Sequence, residues 1–594
     1  MDQDGQGGRG PRSLPRLLQQ HWPVAAVLAA FAGAAFVLPT LSATAISDDF
    51  LYARSVQILL RDGDLRILPA AAVTGVFQIL WGALFSGVFG DSLGVLRAAT
   101  VTFALLGGLA MYGLCRELGV TRGRSALGAA IYLFNPLSFV LSYTFMTDAY
   151  LLTLITIAAW CYVRGLRGDT VDARWTVAGS VVAGLAFLVR QPGILVVVGV
   201  LTYLVASGRL GRGVEALRTA ARVALAPAVI VAAYVIWFRF VHGVPEGSNQ
   251  VGFFKAFPDA GLGGIWELGQ RLVVLGAIYV GLFVLPVAVA ALWRVPELAR
   301  RLGTWRWVVL GVIVAGVFLL AVGDFAPFDV RRPWSPQFFR QAGLGPTDLR
   351  GGRPPVLDDT TRDVILVLGA VSAVVAAIAL LRRLRPLRTP GGAGPGVLGA
   401  TAIWLALGVL APSLPLRAGS YSYDRYFLPL LPVLVALLLW ALRPVRLFTP
   451  LAWAVVLLMG GFSVAGTHDH LTYQETTWDV AARAHADGVA YVDIDGGAAW
   501  DGYRLYEYSY GNKVTIDLKE LADLGIKGPI LLSPHDVEAW WIPFYAAAVT
   551  SEYIVSSEVL AGYDVVRRVP YSSWLHSDFQ YIYLLHRPAA AGSG

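Results

Sequence analysis

Apolar runs of bilayer-crossing length recur along this chain from residue 24 to about residue 464, broken by short polar connections. They fall at 24–45, 93–115, 125–141, 149–163, 175–189, 194–206, 223–241, 272–293, 307–322, 364–381, 397–411, 427–442 and 447–464. The pattern predicts an α-helical polytopic membrane protein of about thirteen transmembrane helices, several shorter than the usual ~20 residues. The stretch 68–89 is also apolar. Counting it as a crossing would turn Arg116, Arg122 and Arg124 outward, so it reads as juxtamembrane or re-entrant; the alternative is an ordinary helix here, compensated by the loss of one of the short spans later. After His468 the pattern changes to strand-like alternation at 489–494, 529–532 and 553–566, which predicts a small α/β domain. The organisation that follows is a basic N-terminal tail (1–21), a membrane domain (22–466) and a C-terminal domain (467–594). The membrane domain has outer loops at 45–92, 242–271 and 323–363.

Charge gives this series an orientation. Arg9, Arg12 and Arg16 precede the first run, and every second connection is basic thereafter. Examples are Arg164, Arg167 and Arg174, then Arg382, Arg383, Arg385 and Arg388, then Arg443 and Arg446. Cationic loops stay in the cytoplasm, so the N-terminus is expected inside and the C-terminal domain outside a multi-pass plasma-membrane protein. The composition agrees, with 56% hydrophobic and 15% charged residues against roughly 45–50% and 25% in soluble domains. The net charge of +7 therefore marks orientation and gives no sign of nucleic-acid binding. Cys115 and Cys161 offer neither a CxxC spacing nor an outer disulfide. The first run resembles a signal peptide ending at 42–45 but exceeds a typical h-region, so it reads as a retained span.

The polar residues at the outer ends of these runs carry the candidate chemistry. Asp48 and Asp49 lie just past the first run, with Tyr52 behind them. A carboxylate there can act as general base while a second one orients it, adjusts its pKa or holds a metal. Asp148, after Thr147, opens a helix at the same side, where a simple capping role is the alternative. Arg190 and Arg425 face outward against the orientation bias, and a guanidinium fork suits an anionic phosphate. For Arg425 the competing reading is an ion pair with its neighbour Asp424. Arg331 and Arg332 are weaker phosphate candidates. In the tail, Tyr506, Tyr508 and Tyr510 alternate as on one strand face, and Trp540 and Trp541 suit a bilayer interface. His468, Asp469 and His470 read as a solvated linker. No Gly-rich phosphate loop or HExxH is present. No cofactor is indicated, and a divalent metal, if used, would fall to Asp48 and Asp49.

Together these residues resemble the GT-C superfamily of glycosyltransferases, in the branch of protein O-mannosyltransferases and lipid A aminoarabinose transferases. Asp48-Asp49-Phe50-Leu51-Tyr52 is similar to that group's acidic pair and tyrosine after the first helix. Phe89-Gly90-Asp91-Ser92-Leu93 with Leu96-Arg97 is similar to its approach to the second helix. Asp148 falls where a further outer acid is expected, and Arg425-Tyr426-Phe427-Leu428-Pro429 resembles a late Arg-Tyr-x-x-Pro segment. The likeness covers residues 20 to about 465. It departs where many relatives have Asp-Glu for the acidic pair, and where their Pro-rich, often basic stretch in the first loop is here residues 65–75.

The resemblance implies transfer of a sugar from a polyprenyl-phosphate donor to an extracytoplasmic glycan, lipid or protein acceptor. Asp48 would deprotonate the acceptor, Asp49 and Asp148 would shape the site, and Arg425 with Arg190 would hold the departing phosphate. Tyr52 and Tyr426 would support them. The rival readings are a lipid-linked-glycan flippase, ligase or polymerase, although acids at mid-membrane depth and internal repeats are not evident.

Overall fold

The computed structural model describes residues 14–244, 261–322, 337–346, 348–383, 393–410, 423–511, 541–542 and 549–588. Helix α1 (Leu14–Val37) stops eight residues before its apolar run does. Pro39 has no amide hydrogen to give and disfavours the helical state at Leu38, so the chain turns there. This corrects the position of the acids. They lie beyond a buried loop, at the start of α2 (Asp49–Asp62), with Asp48 as its N-cap residue. Helix α3 (Val76–Phe89) follows. At 14 residues each, α2 and α3 reach about 21 Å, short of the roughly 30 Å hydrocarbon layer.

The membrane domain continues through α4 (Leu93–Glu117), α5 (Arg122–Phe134), α6 (Pro136–Ser142), α7 (Thr147–Gly165) and α8 (Ala173–Phe187). Then come α9 (Leu195–Ser207), α10 (Gly213–Ile236), α11 (Gly261–Ala291), α12 (Val295–Arg300) and α13 (Thr304–Val322). Last are α14 (Asp359–Arg383), α15 (Ala393–Leu410), α16 (Leu430–Ala441) and α17 (Thr449–Ala486). Each apolar run predicted above overlaps one of these helices. Among the described residues, six helices are long and apolar enough to cross a bilayer, or seven if α5 and α6, bent by 62°, form one broken span. Helix α4 packs on α5 and α7, α7 on α8, and α8 on α10, so the early helices form one layered bundle.

Helix α17 is continuous over 38 residues, about 57 Å, and it carries the chain out of the bundle. Leu457 and Leu458 on it are exposed, whereas Asp469 and His470 are buried. His468, Asp469 and His470 are therefore not a solvated linker but part of a helix enclosed by the tail. Before α14 two short strands, β1 (Phe339–Arg340) and β2 (Gly343–Leu344), pair antiparallel, and beyond α17 lie β3 (Ile494–Asp495), α18 (Ala498–Gly511), β4 (Tyr553–Ser556), β5 (Asp564–Tyr571) and β6 (Gln580–His586). The sheet order is β3-β4-β6-β5, parallel between β3 and β4 and antiparallel elsewhere. Two strand expectations need correction. Tyr506, Tyr508 and Tyr510 lie on α18, and half of 489–494 forms a short 3-10 turn, Tyr491–Asp493, before β3. Trp541 is buried and donates to Asp495 and Asp501, so it is no interface residue. The expected strand 529–532, Trp540, Arg331 and Arg332 lie outside the described residues.

Candidate active site

The loop between α1 and α2 is built around a buried arginine. Arg97, one turn into α4 and 1% exposed, donates to the carbonyls of Thr40 (2.8 Å) and Thr44 (2.9 Å) and to the Ser42 hydroxyl (3.0 Å). Loop carbonyls would otherwise be buried without donors, which is costly. Ser47 then takes a left-handed conformation, φ 56°, a backbone state that a non-glycine residue holds only when its surroundings enforce it. That turn delivers the two acids to different places.

Asp49 points inward. Its Oδ1 accepts the Ile46 amide (2.8 Å) and its Oδ2 the Phe145 amide (3.2 Å), stapling the acid loop to the segment before α7. Burial pushes its carboxyl up to about 7, opposed by those amides and by Arg97. Asp48 is only half-buried, and its carboxylate receives the Ser47 hydroxyl at 3.2 Å. As N-cap residue it makes no side-chain cap bond, which leaves its carboxylate to face the site.

Across from Asp48 is an ion cluster. Asp148, in the first turn of α7 and buried, accepts from Arg190 Nη1 at 2.8 Å and from Arg425 Nη1 at 3.2 Å. Arg190 precedes the 3-10 turn Gln191–Ile194, and Arg425 lies in the 3-10 turn Asp424–Phe427. Tyr426 lies between them, its ring centre 5.1 Å from the Arg190 guanidinium carbon and 5.8 Å from that of Arg425. Burial works against the charge on Arg425, but Asp148 and Asp48 outweigh it and hold the guanidinium more firmly protonated than usual. Tyr52 feels Asp48, Arg425, Arg190 and Asp148 together, with burial the main cause of its raised phenol pKa. Six of the seven expected site residues thus converge: Asp48, Asp148, Arg190, Arg425, Tyr52 and Tyr426. Asp49 is the exception, since both its oxygens are taken by backbone amides.

The rival ion pair of Arg425 with Asp424 is not formed. Asp424 is fully buried. It accepts the amides of Gln337 (3.2 Å), Phe338 (3.0 Å) and Phe339 (2.7 Å), and that of Arg425 itself (2.7 Å). Burial pushes its carboxyl up to about 6 against these amides. Asp424 is a positioning residue that the sequence reading missed, and it fixes the outer loop beside Arg425. Arg97 was noticed only as part of a motif; a charged residue inside an apolar run was the signal for its role. A third set ties the first loop to Arg190. Gly75 donates its amide to Val189 (3.1 Å) from a left-handed φ of 68° suited to glycine. Thr74 and Gln78 add bonds to the carbonyls of Phe187 and Phe145, both at 2.5 Å.

Two features bear on ligands. The Nε of Arg425 is buried without a hydrogen-bond partner, and such a group calls for an acceptor. Among the described residues no group of three or more His, Cys, Asp or Glu side chains is arranged to hold a metal.

A constellation of carboxylate, paired guanidiniums and tyrosines sits within a bundle of helices long and apolar enough to cross a bilayer, which places the chain among multi-pass membrane proteins. The family described as dolichyl-phosphate-mannose-protein mannosyltransferase matches residues 78–237. That stretch contains Arg97, Asp148 and Arg190, and it begins after Asp48 and ends before Arg425. The resemblance to GT-C glycosyltransferases is thereby borne out by a match independent of the acidic pair. Among solved structures, the chain is similar to ArnT from Cupriavidus metallidurans bound to undecaprenyl phosphate. The identity is 17% over 96% of this chain and 99% of that one, with a TM-score of 0.42. It is also similar to the apo oligosaccharyltransferase of Archaeoglobus fulgidus, at 14% identity over 91% of this chain and 64% of that one, TM-score 0.44. No curated protein matches the chain.

Proposed function

We propose that the chain is a membrane glycosyltransferase that moves a sugar from a polyprenyl-phosphate donor to an acceptor hydroxyl on the extracytoplasmic side. The observation that carries this reading is the Asp148 carboxylate bridging Arg190 and Arg425 at 2.8 and 3.2 Å. Asp148 engages one Nη of each guanidinium, and the buried Nε of Arg425 has no hydrogen-bond partner, so a donor remains for an acceptor even with Asp48 nearby to balance the charge. The leaving group of the reaction, a lipid phosphate, supplies that acceptor.

In the step proposed, the acceptor oxygen attacks the anomeric carbon as its bond to the phosphate oxygen breaks, with inversion. The acceptor proton passes to Asp48, the acid whose carboxylate is not spent on backbone amides. Arg190 and Arg425 take the charge that grows on the departing phosphate; removing such a donor typically costs about 2.7–4 kcal/mol of transition-state stabilisation. Asp148 holds the two guanidiniums in one orientation, and Asp49 holds the loop that presents Asp48. The acceptor is an envelope glycan, lipid or protein. Helix α7 and the shorter apolar helices α8, α9, α13, α15 and α16 cross the membrane together with the six longer ones and the bent α5–α6 pair, which gives about thirteen crossings with the N-terminus cytoplasmic.

The test is sugar transfer from a radiolabelled polyprenyl-phosphate sugar in proteoliposomes, with wild type beside Asp48→Asn. General-base loss predicts a fall of about 10²–10⁴-fold. Equal transfer by the variant removes Asp48 as base, and lipid translocation without any glycosylated product would identify a flippase instead.

A further inference from the structure

The turn joining β5 to β6 is placed by α17 in a way that the chemistry does not require. Asp469 gathers it: the Trp574 amide donates to Oδ1 at 2.6 Å, the Leu575 amide to Oδ2 at 3.1 Å, and the Ser573 hydroxyl also binds this carboxylate. The Trp574 ring lies flat on that of His468, with centroids 3.8 Å apart. At the other end of β5, Arg567 pairs with Asp487 at 2.8 Å, just past the last turn of α17. The hairpin therefore runs back along the outer half of α17, and its turn points toward the membrane.

The level of that turn follows from the helix. Leu457 and Leu458 are 72% and 75% exposed, as side chains facing lipid should be. The apolar run ends at Val464, and from Ser463 onward most side chains of the next three turns are covered by protein. His468 stands four residues past the run, about 6 Å along the helix axis. The headgroup region on one side is about 5–8 Å deep. Yet the turn presents Trp574 at 49% and Phe579 at 69% exposure, set among Ser572, Ser577 and Asp578. Aromatic rings among small polar groups suit the membrane–water interface.

We propose that the 572–579 turn is an interfacial anchor. Trp574 and Phe579 enter the headgroup zone of the leaflet on the catalytic side and hold the C-terminal domain against the bilayer. The partner is the lipid surface itself, engaged through the same helix that crosses it. The consequence is geometric. Helix α18 of that domain packs on α2, with Tyr503 accepting from Gln57 (3.3 Å) and Tyr506 from the Ala70 amide (3.1 Å). An anchored domain would thus steady the helix that begins at the two acids.

The test uses the full chain in nanodiscs. Cys115 and Cys161 are both buried, so a cysteine placed by Phe579→Cys or Trp574→Cys can be labelled selectively with an environment-sensitive fluorophore. Phe579→Cys is the cleaner probe, because that side chain is largely free of the fold. The account expects blue-shifted emission at both positions and strong quenching by lipids carrying a quencher near the headgroup. A label from Val566→Cys, near the far end of β5, should keep water-like emission and be quenched by aqueous iodide instead. Water-like emission at 574 and 579 would overturn the anchor. So would protection from both quenchers, which would mean a protein contact. The readout needs no turnover, so it stands or falls separately from the proposed sugar transfer.

Discussion

Two clusters, one where α7 begins and α8 ends and one where the C-terminal domain meets the segment before α14, are built from the same residue types with opposite pairing. In the first, one carboxylate, Asp148, faces two guanidiniums. In the second, two carboxylates share one guanidinium: Arg350 Nε lies 2.6 Å from Asp495, while Asp501 stands beside it. The second cluster is closed. Trp541 donates to both acids (3.2 and 3.0 Å), and Gly496 and Gly497 donate their amides. Burial first, and then the neighbouring Asp495, push the Asp501 carboxyl well above its ordinary range. A proton balances that cluster, and nothing is left to bind. In the first, Asp48 acts on Arg425 together with Asp148, so what sets it apart is the buried Arg425 Nε left without an acceptor.

The largest expected effect breaks the cation-rich cluster. Asp148→Asn leaves Arg190 and Arg425 buried against each other, and losing one partner of a buried ion pair costs about 3–5 kcal/mol. Thermal unfolding in detergent should show that loss together with weakened donor use. Next is Arg425→Lys, which keeps the charge but cannot serve Asp148 and a phosphate through one planar fork. Transfer kinetics should show kcat/KM falling by about 10²-fold, with the donor KM affected more than the acceptor KM. An acceptor-only defect would contradict the assignment.

A smaller effect is expected at the seam between the domains. A Cβ on Gly502 would lie 2.3 Å from the Phe50 ring, next to the acids. Gly502→Ala should therefore cost about 1–3 kcal/mol by overpacking, visible as a lower unfolding temperature and a reduced kcat. The smallest effect separates the acid-rich cluster from the other. An acid held protonated by the fold binds more protons folded than unfolded, so its contribution is complete at low pH and declines as pH rises toward its folded pKa. Asp501 has that sign, as do Asp424 at about 6 and Asp49 at about 7. Replacing Asp501 by Asn, which resembles the protonated acid, should change stability little at pH 5. It should flatten the decline seen by thermal unfolding between pH 5 and 8.

Much of the bundle was legible because an apolar run of the right length has few alternatives to a helix. The errors have local causes. Pro39 sits inside an apolar run and ends α1 within it. Helix α17 outlasts its apolar run because the strands of the tail pack along one side of it, which a membrane-length criterion cannot foresee. On α18, Gly502, Leu505 and Tyr506 recur at three- and four-residue spacing on the buried face, while Tyr508 is 53% exposed. The alternating tyrosines concealed a helical period. At the site, the residue types could be read from their order along the chain and from charges at the ends of apolar runs. Their pairing could not, since Arg190 and Arg425 meet Asp148 across 42 and 277 positions of chain. Nor could the split between Asp48 and Asp49, which depends on Ile46 and Phe145 amides brought in by the loop.

The central claim is that Arg190 and Arg425 form a phosphate seat beside Asp48. Equilibrium binding of a polyprenyl phosphate, set against the polyprenol of equal length, tests it most directly in nanodiscs. The account predicts that the phosphate binds at least about tenfold tighter, since hydrogen bonds to a charged group are worth about 1.5–3 kcal/mol, and that Arg425→Gln abolishes the difference while Asp48→Asn preserves it. Equal binding of alcohol and phosphate by the wild type would contradict it.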